Sequence, residues 1–250
     1  MSTLQAPSSA SSSVDAAGFR ALWATPVGIH QFAQADEVNP LLVRMFTALR
    51  AARLAQDPAH REGQAPPPFF ASDDQLLDRI RVDEWRLLVR FFVESLRDTT
   101  KAANAGAWPD GGLDLRIAFN GMWFQMSSGG AFHDVHTHGN CSWSGVYVLQ
   151  VDDAQTRRQH PTYGPANGAT RFYGPYFDRL AGAHADLGNA YLQASHFDVE
   201  PLPGRLVLFP SWLAHQAMPY VGDRERVIVS FNASVHSARG DDQLHAYAAR

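Results

Sequence analysis

A change of hydrophobic period near residue 113 limits the folds open to this chain more than any other feature. Before it, apolar side chains recur at helical spacing. Leu41, Leu42, Met45, Phe46 and Leu49 form one such stretch; Leu76, Leu77, Ile80, Trp85, Leu88, Phe91, Phe92 and Leu96 form another. After it, apolar residues fall in short runs punctuated by Gly, Pro, Asn and Asp, clearest at 113–126, 143–151, 205–209 and 226–235. Asn39 and Pro40 are expected to cap and open the first helix, which runs to about Leu54, because the first turn tolerates a residue without an N–H. Ser72-Asp-Asp-Gln75 has capping-box spacing and is expected to open a second helix reaching about Ala103. Helices first and strands after imply an α+β chain, mainly β, with N-terminal helices packed on one face of the strands.

Composition narrows the partners. Hydrophobic residues make up 45% of 250 residues and charged residues 18%, ample material for a core. A formal net charge of −4 gives no electrostatic case for nucleic acid. The single cysteine, Cys141, excludes an intramolecular disulfide and suits a reducing cytoplasm. No apolar run approaches the ~18 residues of a membrane span. The start, MSTLQAPSSASSSVDAAG, has neither the basic nor the apolar region of a secretory leader. The expectation is a cytoplasmic protein with a small-molecule substrate, no nucleic-acid or membrane partner, and a homodimer as a compatible assembly. Residues 1–17 carry too few large apolar side chains to offset ordering entropy and read as a disordered tail. Residues 18–250 read as a single domain: a helical part at 18–110, a strand-rich core at 111–240 and a long insert at 152–200. Within it, 19–32 reads as a short extended piece and 56–71 as a Pro-rich connector.

Of the 11 histidines, the densest group is Phe132-His-Asp-Val-His-Thr-His138. Alternate side chains of an extended chain share a face, so Asp134, His136 and His138 are expected to point one way and His133 and Val135 the other. Two imidazoles at i and i+2 can reach one ion with little strain. His215, which ends the apolar run and turn Leu206-Val-Leu-Phe-Pro-Ser-Trp-Leu-Ala-His215, is the best candidate for a third ligand. Three ligands on one side leave the opposite positions open, as in non-haem iron oxygenases, whose usual set is two His and one carboxylate. Spacing alone does not separate ligation from packing, and zinc also accepts three imidazoles. Many short strands around a metal-binding interior suit a jelly roll.

Arg226 opens Arg226-Val-Ile-Val-Ser-Phe-Asn232, where alternation puts Arg226, Ile228, Ser230 and Asn232 on one face. A guanidinium inside a barrel needs an anion, and its planar fork suits a carboxylate. A surface pairing of Arg226 with Asp223 or Glu225 stays open, and Arg224 is the alternative fork.

Together these residues resemble the 2-oxoglutarate/Fe(II)-dependent oxygenases, and within them a bacterial and phage branch with an H-x-H, an S-G-V-Y-Y-L strand and an F-P-S-W-L-x-H block followed by R-x-S-x-S-F-N. Here the blocks read His136-Thr-His138, Ser144-Gly-Val-Tyr-Val-Leu149, Phe209-Pro-Ser-Trp-Leu-Ala-His215 and Arg226-Val-Ile-Val-Ser-Phe-Asn232, preceded by Leu22-Trp-Ala-Thr-Pro-Val27. The likeness runs from about residue 22 to 235. It implies a double-stranded β-helix (jelly roll) with Fe(II) on His136, His138 and His215. It also implies 2-oxoglutarate as cosubstrate, its distal carboxylate on Arg226 backed by Ser230, with Gln125 as a further polar contact. Three positions depart from the pattern. His138 stands where Asp is commoner, Val148 where the branch has its second Tyr, and Ile228 where it has its first Ser. Asp134 is the alternative carboxylate ligand, or an acceptor behind the ligands.

The activity implied is oxidation of an organic substrate, by hydroxylation or otherwise, with O₂ and 2-oxoglutarate, releasing succinate and CO₂. A three-His iron dioxygenase of cupin type, independent of 2-oxoglutarate, stays open as an alternative, as does a non-catalytic metal-binding jelly roll. Residues 152–200 are expected to form much of the substrate pocket, with Trp143, Tyr163, Phe172, Tyr173, Tyr176 and Phe177 as aromatic candidates.

Overall fold

The computed structural model describes residues 24–61, 63–108, 113–174 and 196–238. The helical part comprises β1 (Gly28–Gln31), α1 (Ala35–Ala55), β2 (Phe69–Ala71), α2 (Leu76–Arg79) and α3 (Asp83–Ala103). The strand-rich part follows as β3 (Leu115–Ser127), β4 (Ala131–His136), β5 (Trp143–Gln150), α4 (Ala154–Arg158), β6 (Thr170–Tyr173), β7 (His196–Val199), β8 (Arg205–Pro210), β9 (His215–Tyr220) and β10 (Arg226–Ser237). A six-stranded sheet has the order β1-β8-β5-β10-β3-β2 and a four-stranded sheet the order β4-β9-β6-β7. All neighbours within both sheets are antiparallel. The fold is a jelly roll with helices on one face, as the change of period implies.

The two faces of the large sheet follow from strand alternation. Val227, Val229 and Phe231 of β10 join Met122, Phe124 and Met126 of β3 in a core that Leu42 and Phe46 of α1 and Leu88, Phe92 and Leu96 of α3 close from outside. Phe46 stacks on Phe124 at 4.6 Å between ring centres. The intervening residues Arg226, Ile228 and Ser230, with Trp123 and Gln125, face the four-stranded sheet. Gly145 lies across from Phe231 in the β5–β10 pair, and a Cβ there would run into the Phe231 ring. The glycine of the Ser144-Gly-Val-Tyr block is therefore a packing requirement.

Several local expectations are corrected. α1 begins at Ala35, so Asn39 and Pro40 lie inside it. The buried Asn39 is no cap. Its Nδ2 donates to Leu149 O, and its Oδ1 accepts from Tyr147 Oη–H, tying α1 to β5. Asp36 and Glu37 supply the acidic first turn that favours a helix N-terminus. Ser72 is no capping-box residue, because its hydroxyl accepts the Phe124 N–H beside the β2–β3 pair. The expected second helix is broken: α2 is one short turn, Ile80 is extended, and α3 starts without a side-chain cap. The end of the 56–71 connector is strand β2, and 152–200 supplies β6 and β7, half of the small sheet. The tail at 1–17 lies outside the described residues. No helix among them is long and apolar enough to cross a membrane.

Candidate active site

β4 and β9 pair antiparallel with His136 opposite His215. His138 lies just beyond β4, and its backbone N–H is held by Ser211 O in the turn that leads into β9. The three imidazoles of His136, His138 and His215 converge, each offering a ligating atom within 4.8 Å of the others. Nδ1 of His136 donates to Asp134 O at 2.6 Å and Nδ1 of His215 to Leu213 O at 2.9 Å. These bonds commit Nδ1 of both rings and leave Nε2 as the nitrogen that can ligate. The Nε2 atoms of His138 and His215 are 3.3 Å apart. Burial, reinforced by the neighbouring imidazoles, holds His138 down to about 4. Burial likewise lowers His215 to about 3, against the opposing pull of its bond to Leu213. Both are neutral at pH 7, the form that binds metal.

The expected facing of β4 does not hold. Its register against β9 slips twice, with His133 opposite Ala217 and His136 opposite His215. Three residues on β4 span two on β9 there, which breaks the alternation. His133 consequently faces the cavity, with its ring 4.1 Å from that of His136 and 6.3 Å from that of Phe69. Asp134 is exposed, and its carboxylate accepts the Val135 N–H. It stands outside the ligating group and contributes only its backbone carbonyl.

The histidines face a narrow cavity of about 30 Å³ between the sheets, lined also by Gln125, Thr170, Arg226, Ile228 and Ser230. Arg226 is 3% exposed, and its Nε has no partner. Burial lowers its pKa to about 10, still cationic at neutral pH. The surface pairing is excluded: Glu225 binds Arg50 in a two-pronged salt bridge, and Arg224 reaches out to Gln150. The side chains of Gln125, Thr170 and Ser230 are buried and make no hydrogen bond among the described residues. Ile228 and Val148 lie side by side as apolar wall against Tyr220.

Of the aromatic candidates, Trp143 belongs to the helix-side core. Phe172 packs beneath His215 at 6.1 Å, Tyr163 stacks on His160, and Tyr173 Oη donates to Gln216. Tyr176 and Phe177 lie outside the described residues. Reading the sequence did not single out Thr170 or Trp123 for the cavity. Trp123 sits in the same strand alternation as Gln125 and was reachable by it; Thr170 lies on a strand only four residues long. A larger groove of about 820 Å³ lies on the helix side, among Leu49, Arg53, Phe70 and Ile80, away from the histidines.

Residues 121–232 match the 2OG-Fe(II) oxygenase family. That span runs from within β3 to within β10 and contains every histidine of the cluster. No curated protein sequence matches the chain. Among solved structures, the chain is similar to AviO1 from Streptomyces viridochromogenes Tue57, at 15% identity and a TM-score of 0.53, covering 84% of this chain and 90% of that one. It is also similar to HygX from Streptomyces hygroscopicus, solved with nickel and 2-oxoglutarate bound, at 10% identity and a TM-score of 0.51, covering 84% of this chain and 82% of that one. At such identities the structural likeness speaks for the fold. Proteins of the matched family use Fe(II) and 2-oxoglutarate. The family match spans the strands that assemble the histidines and Arg226.

Proposed function

We propose that the chain oxidises a C–H bond of a small organic molecule with O₂ and 2-oxoglutarate, yielding succinate and CO₂, and that His136, His138 and His215 hold the iron. One observation carries the assignment of the cosubstrate site. A fully buried guanidinium, Arg226, shares a cavity with three converging imidazoles and has no carboxylate partner among the described residues. An unpaired buried charge costs several kcal/mol, roughly, after relaxation. A bound dicarboxylate offsets that cost through two parallel charge-assisted hydrogen bonds.

The donor set fits the metal. His136, His138 and His215 would hold it, their ligating nitrogens lying within 4.8 Å of one another. Bound iron and 2-oxoglutarate supply the activation of O₂ and the oxidising power for the attack on the C–H bond. The chain's own groups do the positioning. Arg226 binds the distal carboxylate, and Ser230, Gln125 and Thr170 offer uncommitted hydrogen bonds beside it. Ile228 and Val146 give the cavity an apolar wall, and Phe209 packs on the His215 ring at 4.5 Å. Backbone carbonyls of Asp134 and Leu213 fix the tautomers of His136 and His215.

His138 favours one second reading. A neutral triad is the ligand set of a three-His dioxygenase that binds a chelating substrate and needs no 2-oxoglutarate. Titrating 2-oxoglutarate into the anaerobic Fe(II) protein separates the two by the metal-to-ligand charge-transfer absorbance. The band is expected to grow and saturate; its absence at all concentrations selects the three-His dioxygenase. Arg226→Ala is expected to raise the 2-oxoglutarate requirement by roughly 2–5 kcal/mol, on the order of 30-fold to several thousandfold, with iron retained. Unchanged affinity in Arg226→Ala would remove it as the anchor.

A further inference from the structure

Among the described residues, no hydrogen bond fixes the Arg226 guanidinium. Its aim must come from what surrounds its stem and from the backbone on which it sits. Arg226 starts β10 directly after the turn that leaves β9 at Tyr220. That turn is knotted by two buried groups. Tyr220 is fully buried, and its hydroxyl accepts the Asp152 N–H at 3.1 Å and donates to Arg224 O at 2.8 Å. The Asp152 carboxylate accepts the N–H groups of Asp223 at 2.7 Å and Arg224 at 3.1 Å. Burial raises the Tyr220 pKa to about 12, so the hydroxyl keeps its proton at neutral pH.

The Tyr220 ring also shares a wall with the arginine. A Cβ on Gly168 would stand 2.7 Å from Tyr220 Cδ2 and 3.5 Å from Arg226 Cδ. The wall is tied to the turn by Asn167, whose Nδ2 donates to Val221 O and whose Oδ1 accepts the Val221 N–H. Arg157, fully buried, donates to Asn167 O and Asp152 O and so joins wall to knot.

We propose that Tyr220, with Asp152, is the positioning residue that aims Arg226 into the cavity and so sets the affinity for 2-oxoglutarate. The proposal rests on Arg226 being the cosubstrate anchor. Tyr220 touches no metal ligand through its hydroxyl, so its effect is confined to the cosubstrate end of the site.

Tyr220→Phe removes the hydroxyl and keeps the ring. Tyr147→Phe is the matched control. Tyr147 is equally buried and donates one hydrogen bond, to Asn39, but on the helix side of the sheet. Both variants are expected to melt somewhat below the parent. Calorimetric titration of 2-oxoglutarate into Zn(II)-loaded protein reads binding without turnover. Tyr220→Phe is expected to weaken 2-oxoglutarate about five- to thirtyfold, the weight of the two lost hydrogen bonds, with zinc content unchanged. Tyr147→Phe is expected to leave the affinity within about twofold. Asp152→Asn keeps the shape of the knot but loses an acceptor, and should weaken binding in the same direction. Equal weakening in Tyr220→Phe and Tyr147→Phe overturns the proposal, because general loosening then explains both. Unchanged affinity in Tyr220→Phe, with Arg226→Ala strongly weakened, overturns the proposal alone. Unchanged affinity in Arg226→Ala overturns the anchor itself and this inference with it.

Discussion

In the proposed metal site, His138 would decide how the charge of the bound ion is balanced. With His136 and His215 it makes a neutral set, and the nearby carboxylate, Asp134, is turned to the Val135 N–H. A divalent ion held there would meet no protein anion among the described residues, so anionic cosubstrate oxygens would carry more of the balance than where one ligand is Asp. His138→Asp restores two His and a carboxylate, and is expected to retain iron at parental stoichiometry by elemental analysis. Loss of iron would mean that the shorter side chain falls short of the ion. His133→Ala is expected to retain iron as well, because His133 lines the cavity but stands outside the ligating group. An iron-free His133→Ala protein would make the site a four-imidazole one. At this scale the sequence was largely legible. H-x-H with a distant His, and an arginine in an apolar strand, are local patterns, and the fold brings them together. The side on which His133 lies was not legible, because it depends on the slip between β4 and β9, which belongs to the pair and not to either strand.

The elements that hold the site differ in how plainly they announce themselves. β10 and β5 are long and strongly apolar, so their period is clear. β6 and β7 are four residues each, TRFY and HFDV, too short for alternation to stand out. They are held partly by Arg171 facing Asp198 in register, with two bonds of 2.7 and 2.8 Å, which only pairing reveals. Asn39 and Ser72 misled for a related reason: each spends its side chain on a distant strand, so its local capping propensity is overridden. Gly168 tests the element that walls Arg226. Its φ of +73° is one that L side chains rarely adopt, and a Cβ would press on the Tyr220 ring. Gly168→Ala is expected to cost roughly 2–4 kcal/mol from backbone strain and overpacking together, read as a lower urea midpoint at unchanged m-value. A loss under ~0.5 kcal/mol would mean that the wall yields freely and does not brace the arginine.

Across the whole molecule, the six-stranded sheet is a partition. One face is closed by α1 and α3 over an apolar core, and the other looks into the cavity. That division was legible from the change of period, since amphipathic helices followed by strands must share a face. It also predicts how stability and metal binding combine. A metal that binds only the folded state adds RT ln(1 + [M]/Kd), about 2.7 kcal/mol at a hundredfold excess over Kd. At about 2–4 °C per kcal/mol for a chain of this size, the metal-loaded protein should melt roughly 5–10 °C above the chelated one. The helix-side core holds none of the three ligands, so the chelated protein should keep its secondary structure, visible as unchanged far-ultraviolet circular dichroism. Leu88→Ala removes a fully buried side chain of α3 and should cost about 2–5 kcal/mol. Leu88 shares no partner with the histidines, so the two effects should add. Leu88→Ala should lower both melting temperatures and leave the gap between them intact, whereas His215→Ala should abolish the gap. Collapse of the gap in Leu88→Ala, or unfolding on chelation alone, would show that the metal site and the helix-side core stabilise one another and that the sheet does not separate them.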